Sequence, residues 1–300
     1  MTAILPGIHL PTTVVGSYPV VQGTGLRSIL SPMRYAVQEA VSDQIATGID
    51  IISDGQVRGD MIRVFTSRLP GIREQRVIGK VMVPQAPITL ADTRYALRKN
   101  PHVKGILTGP TTLAHGLRID TPAYRNRGEL AIDLAHALAP EAKALEEAGV
   151  TLIQLDEPIF STGSADLQSG NEALALITSR LRIPVCLHVC GHLSAVMDEL
   201  LTMPVDVLDF EFAKSPENLD LLSQRDLGGR MIGFGCVDSS SPEIEPVATI
   251  HDRIMQGLSV FRPDQLLIDP DCGLRMHTRE TAFRKLAHMV MATRQIRSEL

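Results

Sequence analysis

Four side chains could act together: His188, Cys190, Glu211 and Cys272. His188 and Cys190 stand two apart at the end of the apolar run Val185–Cys190. In an extended strand, residues i and i+2 share a face, so both can address one ion. Glu211 closes the next apolar run, and Cys272 follows the last one. Two thiolates and an imidazole favour zinc over magnesium or calcium, which prefer oxygen ligands. Taken alone, Cys190 or Cys272 reads as a small buried hydrophobe. Cys186 and Cys236 are further candidates, deeper in their strands, and His192 is expected to cap or line the following helix. Structural zinc sites draw ligands from short Cys-x₂₋₄-Cys knuckles. A set spread over distant runs instead points to catalysis. With two thiolates and a carboxylate the site would be electron-rich, a poor Lewis acid for hydrolysis. It suits keeping a bound thiol ionised: free thiols have a pKa of about 8.5, and coordination deprotonates them. The expected reaction is attack of sulfur on an electrophilic carbon, with Glu211 as the ligand that can leave.

Other polar residues close other apolar runs. Asp54, Asp156 and Glu157 could hold a cationic group such as an amine, and Ser17 with its neighbouring amides could hold a carboxylate. An amino-acid thiol meets all of these requirements.

The elements that would position these groups alternate along the chain. Candidate strands are Thr13–Ser17, Ile49–Asp54, Val103–Gly109, Thr151–Asp156, Val185–Cys190, Val205–Glu211, Arg230–Cys236 and Gln265–Asp269. They are near-continuous apolar runs, as in strands buried on both faces. Candidate helices are Pro32–Thr47, Ala123–Ala148, Glu172–Arg182, Leu193–Thr202, Pro216–Arg225, Pro246–Gly257 and Thr278–Arg297. Gly48 and Gly149 sit where a left-handed residue would end a helix. Pro32 and Pro216 each follow a serine, as at an N-cap. The alternation predicts an α/β fold, a single-domain (β/α)₈ TIM barrel, with the polar strand ends gathered at its C-terminal face. An open doubly wound sheet is the alternative. The interval after Asp54 is long, and residues 60 to 100 are expected to form an insertion over the barrel mouth after the second strand, with a hairpin over Val77–Pro87.

Composition narrows the function classes. The chain has 300 residues, 29 basic and 34 acidic, net charge −5, with 44% hydrophobic residues. No basic excess or block marks a nucleic-acid partner. No apolar run reaches the roughly 18 residues of a membrane span. Met1–Pro6 does not read as a secretory leader. Four cysteines in such a chain suit a reducing compartment, so a cytoplasmic location is expected.

Seven motifs carry a resemblance. They are Thr13–Pro19, Asp54–Met61, Leu107–Pro110, Ile153–Pro158, His188–Cys190, Asp209–Glu211 and Pro270–Leu274. In this order the sequence resembles the C-terminal catalytic barrel of the cobalamin-independent methionine synthase family. The resemblance implies zinc at His188, Cys190, Glu211 and Cys272. It implies homocysteine as substrate, its carboxylate held by Val15 and Ser17 and its amine by Asp156. Gln56 stands where the family has an amine-binding glutamate. The family's N-terminal half has no counterpart in these residues, and its histidine before Ser-Pro is replaced in Val237-Asp238-Ser239-Ser240-Ser241-Pro242. General acids typically contribute roughly 10²–10⁴-fold, so protonation of a folate leaving group would suffer here. Cob(I)alamin leaves without a proton. The resulting expectation is a core-type enzyme taking methyl from methylcobalamin, a methyl-corrinoid or a corrinoid protein, with Asp54, Glu157, Asp238 and Ser240 in supporting or donor-side places. Methyltetrahydrofolate is the alternative donor. A methylcobamide:coenzyme M-type methyltransferase is the alternative enzyme, for which Arg58 and Arg275 could meet a sulfonate. A metal-free lyase resembling uroporphyrinogen decarboxylase, or a binding role without catalysis, would be a different class.

Overall fold

Six strands form one all-parallel sheet and pair in the order in which they occur along the chain. The computed structural model describes residues 4–300. Met1–Ala3, part of the N-terminal stretch read for a leader, lie outside them. In chain order the strands are β1 (Ile72–Arg73), β2 (Arg76–Val77), β3 (Lys104–Thr108), β4 (Arg118–Ile119), β5 (Leu152–Asp156), β6 (Val185–Val189), β7 (Val207–Glu211), β8 (Met231–Val237) and β9 (Leu266–Pro270). Every residue of the six parallel strands, β3 and β5 to β9, is buried, which is why they are mostly apolar, with polar exceptions such as Lys104, Gln154, Asp156, His188, Asp209, Glu211 and Asp269. Helices follow most of them, giving a TIM-barrel-like α/β architecture.

The first two expected strands are reduced to parallel bridges, Thr12 with Ile268, Thr13 with Ile51 and Ile52 with Val103. Backbone bonds still link them, as from the Thr13 N–H to the Ile268 carbonyl and from the Ile51 N–H to the Thr12 carbonyl, and side chains add to these. Thr12 donates its N–H and its hydroxyl to Asp50, each at 2.8 Å, and the Thr13 hydroxyl donates to the Ile51 carbonyl. Left-handed Gly16 (φ 149°) and Gly55 (φ 81°) end the extended backbone soon after.

Helix Pro32–Thr47 ends at left-handed Gly48 and helix Arg127–Ala148 at left-handed Gly149. Ser31 makes no side-chain cap. Caps also move helix starts: Asn126 begins its helix at Arg127, and Asp166 begins the next at Leu167, before the expected Glu172. The expected helix Leu193–Thr202 shrinks to Met197–Leu200, and the Leu193 N–H before it donates to the Asn218 side chain.

The expected hairpin lies earlier than Val77–Pro87. It pairs β1 with β2 around left-handed Glu74 and Gln75, a two-residue turn whose twist suits a hairpin. Residues 78–89 then run as a strap without strand or helix. The strap is pinned where the Tyr124 hydroxyl accepts the Val81 N–H, and where Glu141 accepts the N–H groups of Ile88 and Thr89. Among the described residues no helix is long and apolar enough to cross a membrane.

Candidate active site

β5 and β6 pair in register, so Asp156 stands directly beside His188. Cys190 follows two residues after His188, on the same face. Cys272 arrives from the turn after β9. One imidazole nitrogen and the two Sγ atoms of His188, Cys190 and Cys272 lie within 4.8 Å of one another. His188 is 2% exposed, and its Nε2 has no hydrogen-bond partner. Its Nδ1 lies 3.3 Å from Asp209 Oδ1, on β7.

The two thiols perturb each other. The Cys272 S–H beside it lowers the Cys190 pKa, while Cys190 and burial raise that of Cys272 well above the ordinary value. Two adjacent thiolates repel, so both ionise only with a cation between them. This donor set, with a buried imidazole that has only the Asp209 carboxylate beside its Nδ1, fits zinc.

Glu211 does not join the cluster. Its Oε1 accepts the Ser215 hydroxyl from the loop after β7, and the three other ligand atoms converge without it. Two further residues fix the ligand loops. Asp271 accepts the N–H groups of Phe212, Ala213 and Lys214 at 2.8–3.0 Å, tying the loop after Glu211 to the turn that carries Cys272. Asn218 Nδ2 donates to the carbonyls of Gly191 and Glu211.

A cavity of about 510 Å³ opens above the cluster. His188, Cys190 and Cys272 line it together with Val15, Ser17, Asp54, Gln56 and Asp156. Burial pushes the Asp156 carboxyl up to about 6, against the opposing pull of His188. Asp54 is also pushed up to about 6 by burial, although it accepts the Gln56 N–H. Gln56 is left-handed (φ 44°), and its carbonyl accepts from Arg275, as does that of Gly59. Gly273 packs against Ser17, whose hydroxyl occupies the place a Cβ would take. Only glycine there lets Cys272 and Ser17 border the same space. The apolar walls include Val37, Val57, Val64, Phe65 and Ile88.

Several of the residues singled out in the sequence do not line this cavity. Glu157 is fully buried and accepts the N–H groups of Thr111 and Thr112, capping the helix after β3. Burial raises it to about 7. Asp238 accepts both the N–H and the hydroxyl of Ser240, closing a local turn. Burial alone would raise the Asp238 pKa, but these bonds lower it. Cys186 and Cys236 are fully buried in β6 and β8, and His192 contacts Ser194. Asp209, Ser215, Asn218 and Asp271 were not anticipated. Asp209 could have been, since alternation along β7 puts it on the face of Glu211.

Comparison with known proteins places the chain. Residues 10–295 match the family described as cobalamin-independent synthase, catalytic domain. The methionine synthase of Methanothermobacter marburgensis is 42% identical, over 94% of this chain and 98% of that one. The methionine synthase of Methanocaldococcus jannaschii is 41% identical, over 95% and 99%. A B12-independent methionine synthase from a Shewanella species, solved with selenomethionine, superposes with a TM-score of 0.85 at 24% identity, over 97% of this chain and 99% of that one. The match to a cobalamin-independent family corrects the expectation of methylcobalamin or a methyl-corrinoid as donor, and removes the ground for a corrinoid-protein partner.

Proposed function

Because this chain belongs to the family of cobalamin-independent synthase catalytic domains, we propose that it methylates the thiol of L-homocysteine at a zinc ion, giving methionine. It is a methyltransferase of the methionine synthase type. One observation carries the reading of the site: the three soft ligands of the cluster border the same cavity as a buried carboxyl and the Val15–Ser17 segment.

His188, Cys190 and Cys272 would hold the zinc, with Glu211 beside them as the fourth, exchangeable donor. Bound there, zinc supplies the charge that keeps an incoming thiol ionised at neutral pH. Asp156 takes the substrate ammonium, and this contact favours the ionised carboxylate over its buried acid form. Ser17 and the neighbouring backbone hold the carboxylate, and Gln56 faces the same space. The apolar walls exclude water from the reacting sulfur. The two bridged segments near Thr13 and Ile51 are best understood as the first two barrel strands. On that reading the ring closes between β9 and β3, and residues 60 to 100 are the insertion over its mouth.

The donor to test is methyltetrahydrofolate. His277 Nε2 rests 2.8 Å from the Ser239 carbonyl, so an imidazole stands against the loop that lacks the family's histidine. The coenzyme M alternative is disfavoured by charge. Arg58 is engaged by Asp92, Arg275 serves two backbone carbonyls, and the cavity presents carboxylates. The test is calorimetric titration of zinc-loaded protein with homocysteine, followed by methionine formation with methyltetrahydrofolate. Failure to bind homocysteine with proton release would overturn the assignment.

A further inference from the structure

One buried amide touches both arms of the substrate clamp. We propose that Gln154, held by Lys104, is a positioning residue that sets the amine-binding oxygen of Asp156 against the Val15–Ser17 segment. The inference rests on the homocysteine reading above.

Gln154 and Lys104 are 0% and 1% exposed and do not line the cavity, so neither touches substrate. Gln154 Nε2 donates to the Val15 carbonyl and to Asp156 Oδ1, both at 2.7 Å. Its Oε1 accepts from Lys104 Nζ at 2.5 Å. These partners fix the direction of the amide. An ammonium only donates, while a carbonyl and a carboxylate only accept. Flipping the amide would set its NH₂ against the ammonium and its oxygen against two acceptors. Lys104 therefore acts as the key that orients Gln154.

The consequence is greatest for the amino group. Asp156 Oδ1 is already committed to Gln154, which leaves Oδ2 for the ligand ammonium. The same NH₂ group pins the Val15 backbone, beside which the carboxylate is read. Val15 and Gln154 are 139 residues apart. No other element described above connects the two arms so directly. A plug that merely satisfied the barrel interior would have no reason to discriminate between thiols with and without an amine.

The test uses zinc-loaded full-length protein and two thiols, homocysteine and 4-mercaptobutyrate, which is homocysteine without its amine. Calorimetry with these thiols needs no methyl donor. Losing hydrogen bonds to a charged group costs binding about tenfold to a hundredfold. Gln154→Leu should weaken homocysteine by that factor and 4-mercaptobutyrate, which keeps only the carboxylate arm, by clearly less, with zinc content unchanged. Lys104→Met frees the amide to turn and should give a smaller loss with the same selectivity. It also supplies the reading if Gln154→Leu does not fold. Equal losses for the two thiols, or no loss for homocysteine, would overturn the inference alone. Wild-type protein that fails to bind homocysteine would overturn the functional reading and this inference with it.

Discussion

Removing the charge of Asp209 should weaken zinc binding without touching a ligand. Asp209 is fully buried, its Oδ1 lies 3.3 Å from His188 Nδ1, and no other partner serves that nitrogen. A carboxylate there selects the tautomer that carries the Nδ1 proton and leaves Nε2 free for the metal. It also makes the imidazole a stronger donor. Such outer partners typically contribute about 10–100-fold in metal affinity. Asp209→Asn keeps an oxygen that can accept from Nδ1 but loses the charge, and charge-assisted hydrogen bonds are roughly twice as strong as neutral ones. Its loss should fall near the lower end, about tenfold or about 1.4 kcal/mol. Asp209→Ala removes the acceptor altogether and should approach a hundredfold. The assay is competition for zinc against a chromogenic chelator at neutral pH, with near-ultraviolet circular dichroism confirming native packing. Unchanged affinity in both folded variants would refute the role. So would equal losses, because the argument requires the retained oxygen of asparagine to matter.

Three further outcomes follow from the same geometry. With Asp156 raised to about 6 by burial, the ammonium contact is present above that pH and lost below it. The affinity ratio of homocysteine to 4-mercaptobutyrate should be flat above about pH 6 and fall up to tenfold per unit below it, and a ratio independent of pH would contradict the assignment. Cys272→Ser should abolish stoichiometric zinc, whereas Glu211→Gln, at a residue held by Ser215 outside the cluster, should bind a full equivalent more weakly. Elemental analysis and chelator competition separate these. Gly273→Ala would drive a methyl into the Ser17 hydroxyl, and should weaken homocysteine binding while zinc content stays at one equivalent.

Much of the site was legible because it obeys strand periodicity. His188 and Cys190 announce themselves by spacing, and the six parallel strands by their continuous apolar runs. The same rule, applied further, would have removed Glu157. It follows Asp156 directly, and neighbouring strand residues face opposite sides. Glu157 accordingly turns outward to cap a helix while Asp156 turns to the cavity. What could not be read was pairing across the fold. The Gln154–Val15 bond, the Glu211–Ser215 contact and the Asp271 clamp depend on which loops meet. The first two expected strands are present only as short parallel bridges, each reinforced by threonine and aspartate side chains.

The donor error has the same root. The corrinoid expectation rested on the family's N-terminal half having no counterpart and on one missing histidine, in the loop Val237–Pro242, read as a missing function. A proton donor, however, is defined by where its nitrogen lies, not by its place in the chain. The fold brings His277, 38 residues further on, against the Ser239 carbonyl of that loop. A vacancy in a linear motif therefore argues for changed chemistry only after the segments packed on it have been searched for the same functional group. For this loop, that search finds an imidazole whose Nε2 is engaged by the Ser239 carbonyl.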